Sequence, residues 1–152
     1  MIHHLVYVSE KAPNLTDAQI DEIVAASKKE NEDLSLTGIL LTSGNFMVQL
    51  IEGKLETVKA TYEKILKDPR HVNPRTILTH YSQRRLFPES SMSLMKDPTG
   101  PGFKEIIPHL SQVIALDKDG MEKLLSAFGE LKPIKVPKKK VRTEDKEFKH
   151  EE

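Results

Sequence analysis

Two apolar segments, Leu36–Thr42 and Phe46–Glu52, stand three residues apart across Ser43-Gly44-Asn45. Runs of this length, bounded by turn formers, read as the two arms of a β-hairpin. The second arm sets an amide, Gln49, among Phe46, Met47, Val48, Leu50 and Ile51, so it is a strand buried on at least one face with one polar side chain inside it. An amide that loses water without finding partners costs about 1–3 kcal/mol. Gln49 must therefore be bonded to something, and the remaining sequence has to supply it.

Around the hairpin the periodicities alternate. His4–Ser9 is rich in β-formers and predicts a first strand with Leu5, Tyr7 and Ser9 on one face and Val6 and Val8 on the other. Thr16–Asp33 predicts a helix: Thr16 and Gln19 form a capping box, and Ile20, Ile23, Val24 and Ser27 follow a helical stripe. Leu55–Lys67 carries Leu55, Val58, Tyr62, Ile65 and Leu66 at helical spacing and ends at Asp68-Pro69. Arg75–Ser82 predicts a strand and Ser91–Met95 a short final one. The order is β-α-β-β-α-β with an extra strand, an α+β, ferredoxin-like arrangement with two helices on one face of a mixed sheet.

After the Pro98–Gly102 break, Phe103, Ile106, Ile107, Leu110 and Ile114 recur at helical spacing, followed by Met121, Leu124, Leu125 and Phe128. These C-terminal helices are expected to cover the other sheet face. The organisation is a domain over 1–97, a helical extension over 98–131 and a charged, disordered tail over 132–152.

Composition removes several function classes. The chain has 152 residues, enough for one two-layer core, with 23 basic and 23 acidic side chains and no cysteine. A balanced charge sets up no field toward nucleic acid or a membrane surface. Disulfides and thiolate metal sites are excluded, and His3 and His4, adjacent on a strand, point to opposite faces and do not chelate together. No stretch is apolar for long enough to span a bilayer and no secretory leader is visible, so a cytoplasmic location is the expectation.

Three polar residues follow the order of this fold: Tyr7 on the first strand, Asn31 at the end of the first helix, Gln49 on the third strand. In a ferredoxin-like sheet the first and third strands are neighbours, which lets Tyr7 bond Gln49 across them. A phenol satisfies only part of an amide, so a further partner is wanted on the helix side, where Asn31 marks room for a planar, hydrogen-bonding ligand.

Leu5-Val6-Tyr7-Val8-Ser9, then Ser27 and Asn31, then Leu36-Thr37-Gly38-Ile39-Leu40-Leu41, then Gln49-Leu50-Ile51-Glu52-Gly53, then Asp68-Pro69-Arg70-His71 resemble the signature of BLUF domains, the flavin-binding blue-light sensors. The likeness runs over about residues 3–95. It implies a non-covalent FAD between the two helices and above the sheet. By the same resemblance Tyr7, Gln49 and Met92 are the photoactive residues. Cofactor contacts fall to Asn31, Gln49, Tyr7, Ser27, Lys28, Asp68, Arg70 and His71. Excitation would leave the Gln49 amide altered, and Met92 is the next link outward. Ser90 stands where many BLUF domains have a tryptophan. The readout implied is contact with a downstream protein partner, in a homo-oligomer, with no catalysis by this chain.

On the residues alone two other readings stay open. One is a light-inert interaction module on the same fold; the other is a ferredoxin-like hydrolase of small phosphorylated substrates using Arg70 and His71. No Walker-type loop, cysteine nucleophile or Ser/His/Asp arrangement supports an enzyme.

Overall fold

The computed structural model describes residues 1–98, 103 and 116–131. In chain order the elements are β1 (Ile2–Lys11), α1 (Asp17–Leu34), β2 (Thr37–Ser43), β3 (Phe46–Gly53), α2 (Leu55–Leu66), β4 (His71–Ser82), β5 (Leu94–Lys96) and α3 (Lys118–Glu130). The five strands lie in the order β4-β1-β3-β2-β5. All neighbours are antiparallel except β5, which runs parallel to β2.

Local rules account for most of the elements. The β2–β3 hairpin turns at Gly44, whose φ of +57° lies in the left-handed region that glycine enters without a Cβ clash. Thr16 caps α1 through its hydroxyl while the Gln19 side chain returns to the Thr16 amide, the full capping box. α1 ends where Ser35 turns left-handed at φ +55° and the Leu36 amide bonds the Asn31 carbonyl.

Alternation along the strands divides the core in two. Leu5, Tyr7, Leu40, Met47 and Ile51 face α1 and α2, packing with Ile20, Val58 and Met92. Val6, Val8, Ile39, Leu41, Val48, Leu50, Ile77 and Leu78 face the other way, against Phe87, Phe103 and the α3 residues Leu124, Ala127 and Phe128. The fold is the expected α+β, ferredoxin-like one, and α3 covers the second face.

Two strand boundaries differ from those expected. β4 starts at His71 rather than Arg75, because it continues through Asn73 at φ +53° and Pro74 with a register shift against β1. The final strand is Leu94–Lys96 rather than Ser91–Met95, so Met92 lies in the β4–β5 connection and not on a strand. The helix expected over 103–114, apart from Phe103, and the tail expected over 132–152 lie outside the described residues. Among the described residues no helix is long and apolar enough to cross a membrane.

The β4–β5 connection is held to the sheet by a fully buried carboxylate. Glu52 on β3 accepts the amides of Leu86 at 2.7 Å and Phe87 at 2.8 Å, and the Thr37 hydroxyl at 2.8 Å. Its Oε1 lies 3.1 Å from Nε2 of His4, its opposite neighbour on β1. Burial alone raises the Glu52 carboxyl, but the bonds from His4, Leu86, Phe87 and Thr37 outweigh it and leave the pKa below its ordinary 4.5. A lowered pKa stabilises the fold fully above the unfolded value and is lost as pH falls through the folded one. Thermal melts from about pH 7 to about pH 3 should therefore be flat at the top and fall below about pH 4.5, with Glu52→Gln removing part of that fall.

Candidate functional site

A cleft opens between α1 and α2 above the α-covered sheet face, with about 170 Å³ of space for water-sized molecules. Its floor is Tyr7, Leu40 and Gln49 from the sheet; Ile23, Ser27 and Asn31 form the α1 wall, and Thr61, Lys64 and Ile65 the α2 wall. Asp68, Arg70 and His71 line it from the start of β4 and the turn before it.

Strand register brings the first pair together. Tyr7 and Gln49 are directly opposite on β1 and β3, and the Tyr7 hydroxyl donates to Gln49 Oε1. Burial, then the proximity of Tyr62 and Asp68, pushes the Tyr7 phenol well above its ordinary pKa, so it stays a donor. Tyr62 of α2 lies 5.3 Å from it between ring centroids. With Oε1 turned to Tyr7, Gln49 Nε2 points to Met92 Sδ at 3.5 Å, and a thioether is a weak acceptor. The amide thus keeps donor capacity at the cleft floor.

Asn31 sits in the last turn of α1 and is 4% exposed. Its Nδ2 donates to the Ser91 carbonyl at 2.8 Å, which fastens α1 to the β4–β5 connection. Its Oδ1 has no hydrogen-bond partner among the described residues and is left for a ligand. Apolar Ile23 and Ile65 on facing walls, with two amides at one end, fit a flat aromatic ring that carries hydrogen-bonding groups along one edge.

The remaining candidates are placed unequally. Ser27 lines the α1 wall. Lys28, one residue on and therefore turned by about 100°, is exposed and outside the cleft lining. The Arg70 fork is already engaged by Asp68, Nε at 2.9 Å from Oδ1 and Nη2 at 2.6 Å from Oδ2. The Arg70 side-chain bond, opposed by burial, holds the Asp68 carboxyl low. His71 is also committed: Nε2 lies 2.7 Å from the Ile65 carbonyl, which can only accept, so in the neutral ring Nδ1 accepts the hydrogen bond that the Ser9 hydroxyl donates at 2.9 Å. The ring pins the end of α2 to β1 and meets the cleft through its carbon edge rather than through a spare nitrogen.

Sequence reasoning passed over Ile23 and Ile65 as site residues, since a helical apolar stripe reads as core. Lys64 was also passed over; it follows Glu63 on a polar helix face and gives no signal of its own.

The family model for BLUF, sensors of blue-light using FAD, matches residues 2–93. Over 94 residues the chain is 36% identical to the blue light- and temperature-regulated antirepressor BluF of Escherichia coli (strain K12), covering 62% of this chain and 23% of that protein. It is 31% identical over 84 residues to photoactivated adenylate cyclase subunit beta of Euglena longa, covering 55% of this chain and 10% of that protein. The chain thus spans about a quarter or less of these relatives. Among solved structures, BlrB, a BLUF protein in its dark state, shares 27% identity at a TM-score of 0.67, over 84% of this chain and 95% of that one. BlsA in its photo-activated state superimposes over 90% of this chain and 100% of that one at a TM-score of 0.74, and at 24% identity speaks for the fold alone. With a cleft between α1 and α2 that suits a flat ring and a family match that takes in β1 to β4 and both helices of the cleft, the chain belongs to the BLUF family of flavin-binding blue-light sensors.

Proposed function

We propose that this chain is a blue-light photoreceptor that holds FAD non-covalently between α1 and α2 and signals by rearranging the hydrogen bonds of Gln49. The observation that carries the reading is the hydrogen-bonded chain that runs from Tyr7 through Gln49 on the cleft floor to Met92 behind it. Flavin, when bound, supplies absorption of blue light and a strongly oxidising excited state.

The protein's part is position. Ile23 and Ile65 hold the faces of the ring, Asn31 Oδ1 and Gln49 Nε2 its polar edge, and the Ser27 hydroxyl adds a contact from α1. Lys64 and Arg70, which line the cleft, serve the diphosphate end, and Lys28, exposed outside the lining, adds positive charge on α1; Glu30 and Asp68 offset part of that charge. Asp68 and His71 act at one remove, by orienting Arg70 and by fixing the end of α2.

The Gln49 amide offers two arrangements to the groups around it. In the one observed, Oε1 accepts from Tyr7 and Nε2 faces Met92. In the other the amide is altered, rotated or tautomerised, and presents different hydrogen bonds to Tyr7, to Met92 and to the ring edge. A change of about 1.4 kcal/mol between the two shifts their ratio tenfold, enough to regulate a docked protein. Relatives named as an antirepressor and as an adenylate cyclase pair light sensing with further outputs. For this chain we take the output to be contact with a protein partner through its C-terminal part, residues 103–128, in a cytoplasmic assembly of copies, with no reaction catalysed by the chain.

Absorbance before and after blue light tests this directly. A yellow protein with a reversible red shift is the expected result; a preparation still colourless after flavin supplementation would support the light-inert module instead, and activity on phosphorylated substrates the hydrolase. Tyr7→Phe removes the sole donor to Gln49 Oε1 among the described residues, and should abolish the reversible shift while flavin remains bound. Unchanged photocycling in that variant removes Tyr7 from its assigned place.

A further inference from the structure

The β4–β5 connection, residues 83–93, carries Met92 against Gln49 and Ser91 against Asn31. β3 grips this connection from both faces of the sheet. Gln49, on the cleft face, reaches its far end through Met92; Glu52, three residues along and on the opposite face, binds its near end at Leu86 and Phe87. Arg85, in the same connection, spans to the carbonyls of Ser35 and Glu52 and to the Thr37 hydroxyl, at 2.9, 3.2 and 2.9 Å. Between the two grips Ser90 bonds Gly38 reciprocally, its carbonyl taking the Gly38 amide and its hydroxyl reaching the Gly38 carbonyl, both at 2.9 Å.

A carboxylate 0% exposed is costly to keep unless its bonds do something an apolar side chain could not. Here it satisfies two consecutive backbone amides that no strand pairs. We infer that Glu52 is a positioning residue for the Gln49–Met92 contact: by anchoring residues 86–87 it sets where Met92 meets the amide, so that a change at Gln49 moves the connection as one piece. The role in light signalling rests on the photoreceptor reading; the positioning of Met92 does not.

The test uses the full chain labelled with carbon-13 in its methionine methyl groups, kept in the dark, with the Met92 resonance assigned from Met92→Leu. Gln49→Leu should displace the Met92 methyl resonance in the parent protein. In a Glu52→Gln background the same Gln49→Leu change should displace it at least about twofold less, because the contact is no longer held in place. An equal displacement in both backgrounds overturns the inference. Should Glu52→Gln fail to fold, the cycle is run with Arg85→Met, a half-buried side chain in the same anchor; a reduced displacement supports the inference and an undiminished one overturns it. In flavin-loaded Glu52→Gln the red shift persists, since Tyr7 and Gln49 are intact, while the light-induced displacement of the Met92 methyl shrinks. A protein that takes up no flavin defeats the photoreceptor reading but leaves the dark methyl cycle decisive on its own.

Discussion

Gln49→Leu yields a yellow protein whose absorption no longer moves to the red under blue light. Leucine keeps most of the side-chain volume and leaves the cleft-lining Ile23, Ile65 and Asn31, the proposed ring contacts, in place, so cofactor content should be unchanged. What disappears is the group to which the proposed mechanism assigns the two hydrogen-bonding arrangements. The substitution also strips the buried Tyr7 hydroxyl of its acceptor, at a cost of about 1–3 kcal/mol. A melting point lower by roughly 2–4 °C per kcal/mol should accompany the lost photoresponse. Spectra taken before and after illumination, with flavin released and quantified, check both halves; a full red shift in this variant would refute the proposed mechanism.

Gly38→Ala is expected to unsettle the same region from the backbone side. A Cβ at this position would stand 2.0 Å from the Leu50 carbonyl oxygen and 3.1 Å from its carbon, which are main-chain atoms of the paired strand and cannot swing aside. Relief requires β2 to move off β3, and Gly38 is also the residue that Ser90 bonds with both its carbonyl and its hydroxyl. The cost is about 3 kcal/mol, at the upper end for overpacking, and the melting point should fall by roughly 6–12 °C. Gly129→Ala in α3, where the new methyl meets nothing within 4 Å, is the matched control and should be neutral or slightly stabilising. Equal melting points for Gly38→Ala and the parent would show that the strands separate more easily than their pairing indicates.

Local chemistry explains what could be seen in advance. The hairpin, the capping box at Thr16 and Gln19, and the opposed faces of β1 follow from turn residues and period-two alternation, and the structure reproduces them. Gln49 stood out because a lone amide in an apolar strand is costly, and strand order alone pointed from it to Tyr7. What stayed hidden was made by the backbone. Glu52 looked like the polar end of a strand; its partners are main-chain amides 34 and 35 residues away, which no side-chain pattern announces. His71 gave no sign of its commitment, because the Ile65 carbonyl it meets carries no signature. Arg70 is the exception, since Asp68 two residues before it was in plain view and the pairing that occupies its fork could have been anticipated. The start of β4 was masked by Asn73 and Pro74, which break the alternation a strand is recognised by.

The single bond from the Asn31 side chain to the Ser91 carbonyl has a thermodynamic corollary. If that side chain grips the pigment with its oxygen and the neighbouring loop with its nitrogen, occupancy of the cleft and order of the loop are linked, and linkage runs equally in both directions. A protein that docks on residues 90–93 and stills them would slow the escape of the chromophore, so dissociation of the pigment becomes a gauge of whether the sensor is engaged.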